Sequence, residues 1–288
     1  MTIRKIIVPV RGDGKGEGLI DHALALASTS GAHIEVVHSH SQPKDMLPFG
    51  TLMITSAMKK SILEAAAANA EGEENHLRKI FDRYCESHDL LVTENPRTAD
   101  GQVSISWTEK VGAQANVVSM RGRLADLIVV AKPDADTNLG VNTLESALLE
   151  TGKLVMMVPE VRSGHIGHHI AIGWNGDSRA ARTVTLGLSI LQNAEKVSVL
   201  SAEKGGSDRL SGAELMEYLG WHGVEAELVK FDSAGKSVGE TILGTVDQIK
   251  ADSLMMGGYG HSRRRELILG GVTQHIIEQT PVPVFMAH

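Results

Sequence analysis

The sequence predicts an α/β protein made of two tandem, doubly wound domains, each a mainly parallel sheet flanked by helices. Three observations lead to this prediction. Short, nearly continuous apolar runs alternate with amphipathic patterns of helical spacing, as is typical of parallel strands buried on both faces. The runs of the first half recur in the second half. The chain has 288 residues, which is enough for two domains of ordinary size.

The duplication is clearest in three pairs of segments that share an apolar strand pattern and a position within their half. These pairs are residues 6–13 with 170–177, 33–40 with 196–203, and 125–131 with 251–257. Each half then ends in a helical pattern and a short apolar strand, at 154–158 and 282–286. A repeat unit of this length indicates duplicated domains and not a solenoid.

The helices of the second half follow from apolar residues that recur at helical spacing. One set is Val184, Leu188 and Leu191, and another is Val238, Ile242, Val246 and Ile249. Ser178 is expected to cap the first of these helices. In the first half, the Ala-rich and charged segment within residues 43–100 predicts an added helix that covers the sheet. Glycine and serine break the periodicity in 159–167, which predicts domains at 1–160 and 168–288.

Composition excludes several classes of protein. The formal net charge of −7 argues against general binding to nucleic acid. The single cysteine, Cys85, excludes a disulfide framework, suits a reducing compartment and is expected to be a packed thiol. No stretch approaches the roughly 18 apolar residues that span a bilayer, and the N-terminus lacks a secretory signal pattern. We therefore expect a cytoplasmic protein with neither nucleic acid nor membrane as a partner.

The most informative segment follows the apolar strand predicted within residues 251–257. Two residues separate Gly257 from Gly260, and Gly270 follows after nine more residues, where a helix opens. Glycine allows a ligand to approach the backbone closely. The first amides of a helix are unpaired donors at the positive end of its dipole, so such a loop can bind an anion, usually phosphate. The alternative is that the glycines only shape a tight strand-to-helix loop.

This glycine spacing resembles the nucleotide-binding signature of the universal stress protein family. The resemblance implies a Rossmann-like sheet of five strands in the order 3-2-1-4-5 in each half, with the ligand between the first and fourth strands. It also implies an adenine nucleotide, ATP or AMP, with or without Mg²⁺. The residues that it places around the nucleotide are Asn175, Ser201, Met256, Gly257, Gly260, His261, Gly270, Gly271, Val272 and Thr273.

Two of these residues depart from the family pattern. Asn175 stands where nucleotide-binding members carry an aspartate near the base, and Gly271 stands where they usually carry Ser or Thr. The second change removes one hydrogen bond to phosphate, about 1.5–3 kcal/mol for a charged acceptor, which predicts weakened but not abolished binding. His261 could contact phosphate or be an ordinary surface histidine.

The first half has lost the glycine loop. In the segment after its fourth strand, Asp134 and Asp136 would repel phosphate and Pro133 offers no amide. We expect a degenerate domain there, and one nucleotide site per chain in the second half.

The resemblance implies a protein that acts in stress response or signalling by binding a nucleotide. No general base is visible beside the loop, so any ATP hydrolysis should be slow and no catalytic residue is assigned. The rival interpretation is a nucleotide-independent interaction protein with a relic loop, which the residues at 175 and 271 favour. A transferase or hydrolase would need a carboxylate cluster that the sequence does not show. Because family members pair their domains, a homodimer is also expected.

Histidine patterns raise the question of metal binding. His165, His168 and His169 lie at the linker without a nearby cysteine or carboxylate cluster, and His38 and His40 share one face of a strand. A metal site needs convergent ligands with supporting hydrogen bonds. From the sequence alone, we expect none at either place.

Overall fold

The computed structural model describes residues 2–40, 56–95, 101–160, 166–202, 209–232, 235–258 and 271–288. Its strands are β1 (Lys5–Val10), β2 (His33–His40), β3 (Leu91–Val92), β4 (Ser104–Val111), β5 (Leu127–Ala131), β6 (Leu154–Val158), β7 (His169–Trp174), β8 (Lys196–Ala202), β9 (Glu227–Phe231), β10 (Ser253–Gly257) and β11 (Val284–Ala287). Its helices are α1 (Gly16–Ser30), α2 (Ser56–Ser87), α3 (Gln114–Gly122), α4 (Val141–Glu150), α5 (Ser178–Leu186), α6 (Leu188–Asn193), α7 (Gly212–Trp221), α8 (Val238–Gln248) and α9 (Gly271–Gln279).

The described strands form one sheet in the order β3-β4-β2-β1-β5-β6-β11-β10-β7-β8-β9. Within each half, the five main strands run in the order 3-2-1-4-5, and they pair in parallel. The predicted fold class and strand order are confirmed. The two-residue β3 pairs with β4 at the outer edge and is a strand that the sequence did not predict.

The two halves are joined through their last strands. β6 and β11 pair antiparallel, with Met156 opposite Phe285 and Met157 opposite Val284. Each would otherwise be an edge strand with unpaired backbone groups. In the structure the two strands pair with each other, so each covers the edge of the other. Because equivalent strands meet antiparallel, the halves are related by an approximate two-fold axis.

Side chains alternate between the two faces of this sheet, so each face has its own core. Ile34, Met156 and Phe285 belong to the face packed by α1, α2 and α5, whereas Met157 and Met286 belong to the other. Both cores run through both halves without a break. The burial of apolar surface therefore stabilises the contact between the halves as well as each half.

The added helix of the first half is α2. It covers the sheet with Phe81, whose ring lies 5.2 Å from that of Trp107, and the hydroxyl of Tyr84 donates to Asp21 of α1 at 2.6 Å. Cys85 lies in the same core, and burial is the main cause that raises its pKa to about 11. As predicted from the sequence, this segment adds a helix to the first half and Cys85 is a packed thiol.

Two local expectations were wrong. The helix expected from Val184 to Leu191 is interrupted at Gly187, where a side chain would meet Met255 Cε at 2.5 Å. The cap of α5 is Asp177 and not Ser178, because the Asp177 carboxylate accepts from the amide of Arg179 at 2.9 Å. An aspartate accepts this bond as readily as a serine does.

The proposed domain boundary stays a prediction, because residues 161–165 lie outside the described residues. Among the helices that the structure describes, none has the length and apolar character required to cross a membrane.

Candidate functional site

A cavity of about 930 Å³ opens at the carboxyl ends of β7, β8 and β10. The strand order reverses here, because β7 pairs with β8 along one edge and with β10 along the other. Ligands of doubly wound sheets bind outside the carboxyl ends at such a point. Of the predicted site residues, those that line this cavity are Asn175, Ser201, Met256, Gly257, Gly271, Val272 and Thr273.

The other three predicted residues, Gly260, His261 and Gly270, lie outside the described residues. Their part in binding stays a prediction from the glycine spacing.

The registers of the central strands bring the floor of the cavity together. Trp174 lies opposite Ser201, and Gly173 lies opposite Met256. The indole Nε1 of Trp174 also donates to the carbonyls of Leu210 and Ser211, at 2.9 and 3.1 Å. These bonds attach the start of α7 to the end of β7, which holds one wall of the cavity in place.

The two described glycines of the predicted loop have different surroundings. A side chain on Gly257 would meet the backbone nitrogen of Ala180 at 2.7 Å and the carbonyl carbon of Arg179 at 3.1 Å. The close approach of α5 therefore requires glycine at 257 whether or not a ligand binds. Among the described residues, a side chain on Gly271 would meet nothing within 4 Å. This glycine leaves the first turn of α9 open toward the cavity.

The cavity is richer in positive than in negative side chains among its described lining. Arg179, Arg209 and Lys230 contribute cations, whereas Asp177 is the acidic residue. Asp177 is also committed to α5, because it caps the helix and lies 3.4 Å from the Arg179 guanidinium. In a chain of formal net charge −7, this local excess favours an anionic ligand.

These charged residues were not predicted from the sequence. Their places near the ends of strands were a usable signal for two of them, Lys230 near the end of β9 and Arg179 shortly after β7. Arg209 gave no such signal, because its position depends on how the segment before α7 folds back.

Part of the described lining of the cavity is apolar. These apolar residues come from β8, β9, α7 and α8, and they are Leu200, Leu228, Phe231, Ala213, Val238 and Ile242. Apolar lining residues beside a few polar groups are typical of pockets for small organic ligands.

The matching place in the first half is bridged by side chains. Gln114 of α3 donates to the carbonyl of Val10 at 3.1 Å and accepts from the Thr143 hydroxyl of α4 at 3.0 Å. These bonds cross the interval between the carboxyl ends of β1 and β5. In the loop after β5, Asp134 accepts from the amide and hydroxyl of Thr137, both at 2.8 Å.

Residues 191–288 match the model of the universal stress protein family. This part of the chain is similar to the universal stress protein family. The match spans β8 to β11 and includes the glycine loop from which the resemblance was inferred. No curated protein matches the chain.

Solved structures extend the likeness in fold to the whole chain. A universal stress protein from Archaeoglobus fulgidus DSM 4304 is 14% identical, with a TM-score of 0.66, and the alignment covers 98% of this chain and 97% of that one. A structure from Pseudomonas aeruginosa UCBPP-PA14, ascribed to the same family, is 13% identical, with a TM-score of 0.53 and coverages of 99% and 93%. At these identities the likeness shows a tandem universal stress protein fold and nothing about ligands.

A universal stress protein from Archaeoglobus fulgidus has been solved in complex with dAMP. It is 18% identical, with a TM-score of 0.31, and the alignment covers 42% of this chain and 96% of that one. The nucleotide is a property of that protein, and a likeness this low carries no argument for the present chain.

Proposed function

We propose that the chain binds one adenine nucleotide, ATP or AMP, in the cavity of its second half, and that it acts in stress response or signalling through this binding. The observation that carries the proposal is the cavity at the reversal of strand order, with a helix N-terminus and three cations on its walls. We also propose a cytoplasmic location and domains at 1–160 and 168–288, both of which rest on the sequence alone.

The size and lining of the cavity suit a nucleotide. Pockets for small organic ligands commonly measure about 300–1,000 Å³, and this cavity measures about 930 Å³. The apolar lining residues Leu228, Phe231 and Ile242 offer apolar surface for the flat base. Asn175 also lines the cavity and offers an amide that can donate and accept, although its Oδ1 already accepts from the amide of Asp177 at 3.0 Å.

The phosphates have a separate place. α9 begins at Gly271, so its first amides have no acceptor within the helix, and residue 271 has no side chain to cover them. Thr273, in the same first turn, lines the cavity and is largely buried. Arg179, Arg209 and Lys230 supply the positive charge that phosphate binding needs.

The lining favours binding over catalysis. Hydrolysis of ATP requires a group that orients or deprotonates a water. Asp177 is the carboxylate among the described lining residues, and its contacts with the amide and guanidinium of Arg179 already occupy it. We therefore expect ATP hydrolysis to be slow if it occurs at all.

Calorimetric titration of the full chain with ATP and with AMP, each with and without Mg²⁺, tests this proposal. We expect one site per chain. Gly260→Val should remove binding, since the side chain adds bulk and penalises positive φ in the glycine loop. The matched control is Lys132→Gly in the first half, which should leave the affinity unchanged. Unchanged affinity in Gly260→Val, or two equivalent sites, would contradict the proposal.

The second candidate function is a nucleotide-independent interaction protein. The observation that favours it is the packing of Gly257 against α5, which accounts for that glycine without a ligand. Asn175 and Gly271 favour it as well. Mass spectrometry of ligands released from freshly purified protein separates the two functions. Release of an adenine nucleotide supports nucleotide binding. Absence of a released nucleotide, together with titrations that show no binding of ATP or AMP, supports the nucleotide-independent interaction protein.

We also propose that the chain forms homodimers. The pairing of β6 with β11 already joins two domains within one chain, so a dimer would need a further surface. Equilibrium sedimentation at tens of micromolar protein tests this, and a mass of one chain would reject it.

A further inference from the structure

A cluster of metal-ligating side chains lies far from the nucleotide cavity, at the carboxyl ends of β2 and β4 in the first half. His38 and His40 lie on the same face of β2, and Glu109 of β4 lies directly opposite His38 in the parallel register. Trp107 and Phe81 cover the same face. His38 is buried, whereas His40 and Glu109 are partly exposed with side-chain accessibilities of 26% and 25%.

The geometry points to a divalent transition-metal site formed by His38, His40 and Glu109, for which Zn²⁺ is the best-suited ion. The Glu109 Oε2 atom lies 2.9 Å from His38 Nδ1 and 3.9 Å from His40 Nδ1. One ligand atom from each of the three residues lies within 4.8 Å of the other two. In a tetrahedral zinc site with bonds near 2.0 Å, ligand atoms are about 3.3 Å apart. Small side-chain rotations would bring this set to that spacing.

A second observation supports an ion at this place. His40 Nδ1 is buried and has no hydrogen-bond partner among the described residues. A buried polar atom without a partner carries a desolvation cost. A metal ion bound to this nitrogen would remove that cost.

Glu109 also has the support that metal ligands usually have. The indole Nε1 of Trp107 donates to Glu109 Oε1, while Oε2 remains on the side of the two histidines. The Trp107 ring also stacks on His38, with centroids 6.0 Å apart. Outer contacts of this kind orient the ligands and raise metal affinity.

The donor set identifies the class of ion. Imidazole nitrogen suits zinc, copper, iron and nickel, whereas magnesium and calcium prefer oxygen ligands. Two imidazoles and one carboxylate are a three-ligand set that zinc takes with a fourth position left for water or another ligand. From the sequence no metal was expected at His38 and His40, and Glu109 was not considered as a ligand. Glu109 lies 71 residues from His38, and the β2–β4 register brings the two together.

Titration of the chelator-treated full chain with Co²⁺, followed by Zn²⁺, tests the proposal. We expect one Co²⁺ per chain with the intense visible absorption of tetrahedral coordination, and displacement of the Co²⁺ by Zn²⁺. His40→Gln and Glu109→Gln should each weaken Zn²⁺ binding by about 100-fold or more, since even supporting residues contribute about 10- to 100-fold. Glutamine at 109 can still accept the bond from Trp107, so Glu109→Gln preserves the local packing.

The matched control is His168→Gln, which removes an imidazole from the histidine cluster beside the linker. It should leave Zn²⁺ affinity unchanged, and circular dichroism should show native spectra for all three variants. If His40→Gln does not fold, the Zn²⁺ affinity of Glu109→Gln alone tests the proposal. Absence of Co²⁺ binding, unchanged affinity in Glu109→Gln, or loss of binding in His168→Gln would each overturn the proposal. Binding of ATP or AMP plays no part in any of these outcomes.

Discussion

The two halves share one strand order but use the carboxyl ends of their first and fourth strands differently. In the first half, Gln114 and Thr143 bridge this place with hydrogen bonds to Val10 and to each other. In the second half, the first residue of the matching helix is Val238, and Thr273 takes the place of Thr143. A cavity lies there instead. The comparison teaches that one side chain able to donate and accept can bridge a place that a cavity occupies in the other half.

The loop that follows the fourth strand of the first half also has side-chain contacts of its own. Asp134 uses its carboxylate in its own turn, and hydrogen bonds from the Thr137 amide and hydroxyl, the largest causes, lower its pKa. From the sequence, Asp134 and Asp136 were expected to repel phosphate. In the structure, Asp134 also organises the turn, so the loop of the first half is stabilised by its own side chains.

The largest expected effect concerns a buried charge that the second half lacks. Glu35 pairs with Lys5 at 2.8 Å and with Arg121, and accepts from Thr108 at 3.1 Å. The matching residue of β8 is Ser198. Glu35→Gln should lower the free energy of unfolding by about 2–3 kcal/mol, less than for a fully buried pair because Lys5 and Arg121 are partly exposed. Urea denaturation at pH 7 measures this, with Ser198→Ala as the control at about 1 kcal/mol.

The same carboxylate predicts a dependence on pH. Burial alone would raise the pKa of Glu35, but hydrogen bonds and charge from Lys5 and Arg121 outweigh it and hold the pKa below the ordinary value. The stabilisation is therefore complete above the unfolded pKa of about 4.3 and is lost as the pH falls through the lower folded pKa. Between pH 5 and pH 3, wild type should lose more stability than Glu35→Gln. If wild type and Glu35→Gln lost the same stability between pH 5 and pH 3, Glu35 would not be the cause of the pH dependence.

Gln114→Ala is the next largest change and acts on the bridge itself. It leaves the Val10 carbonyl and the Thr143 hydroxyl without their partner, and should cost about 1–2 kcal/mol of unfolding free energy. Val238→Ala, at the matching position, should cost less because Val238 is 40% exposed. Calorimetry on Gln114→Ala should still find one nucleotide site per chain. A second site would mean that the bridge alone excludes nucleotide from the first half.

Gly271→Ser restores the hydroxyl that the family usually carries next to the last loop glycine. The added side chain meets none of the described residues within 4 Å, so none of them has to move to accommodate it. One more hydrogen bond to phosphate should tighten ATP binding by about tenfold, or about 1.4 kcal/mol. The measurement is calorimetry of variant and wild type at one salt concentration. A weaker or unchanged affinity would place the phosphates elsewhere.

The smallest expected effect compares the two matching threonines. Thr273→Ala should weaken ATP binding by about 1 kcal/mol, since it removes one donor to the ligand. Thr143→Ala should leave that affinity unchanged and instead lower stability, because the Thr143 hydroxyl bonds to Gln114. An equal loss of affinity in both variants would indicate an indirect effect of stability on binding.

Much of the fold followed from local patterns. The apolar runs at 6–13 and 170–177 marked the first strands of both halves, and the glycine spacing after Gly257 pointed to the edge of the sheet where the cavity lies. The exceptions have causes that hydrophobic periodicity does not reveal. The predicted helix is interrupted at Gly187, which lies against Met255 of β10, and the two-residue β3 is too short to leave a pattern.

The sequence by itself determined the duplicated α/β architecture, because hydrophobic periodicity and internal repetition are properties of neighbouring residues. Tertiary structure decided which side chains meet. Arg209 lies at the cavity because the carbonyl of its neighbour Leu210 accepts a hydrogen bond from the Trp174 indole. Glu109 lies beside His38 because the register of β2 and β4 places them opposite each other. Such encounters depend on registers and crossovers between residues far apart in the chain, and no local pattern records them.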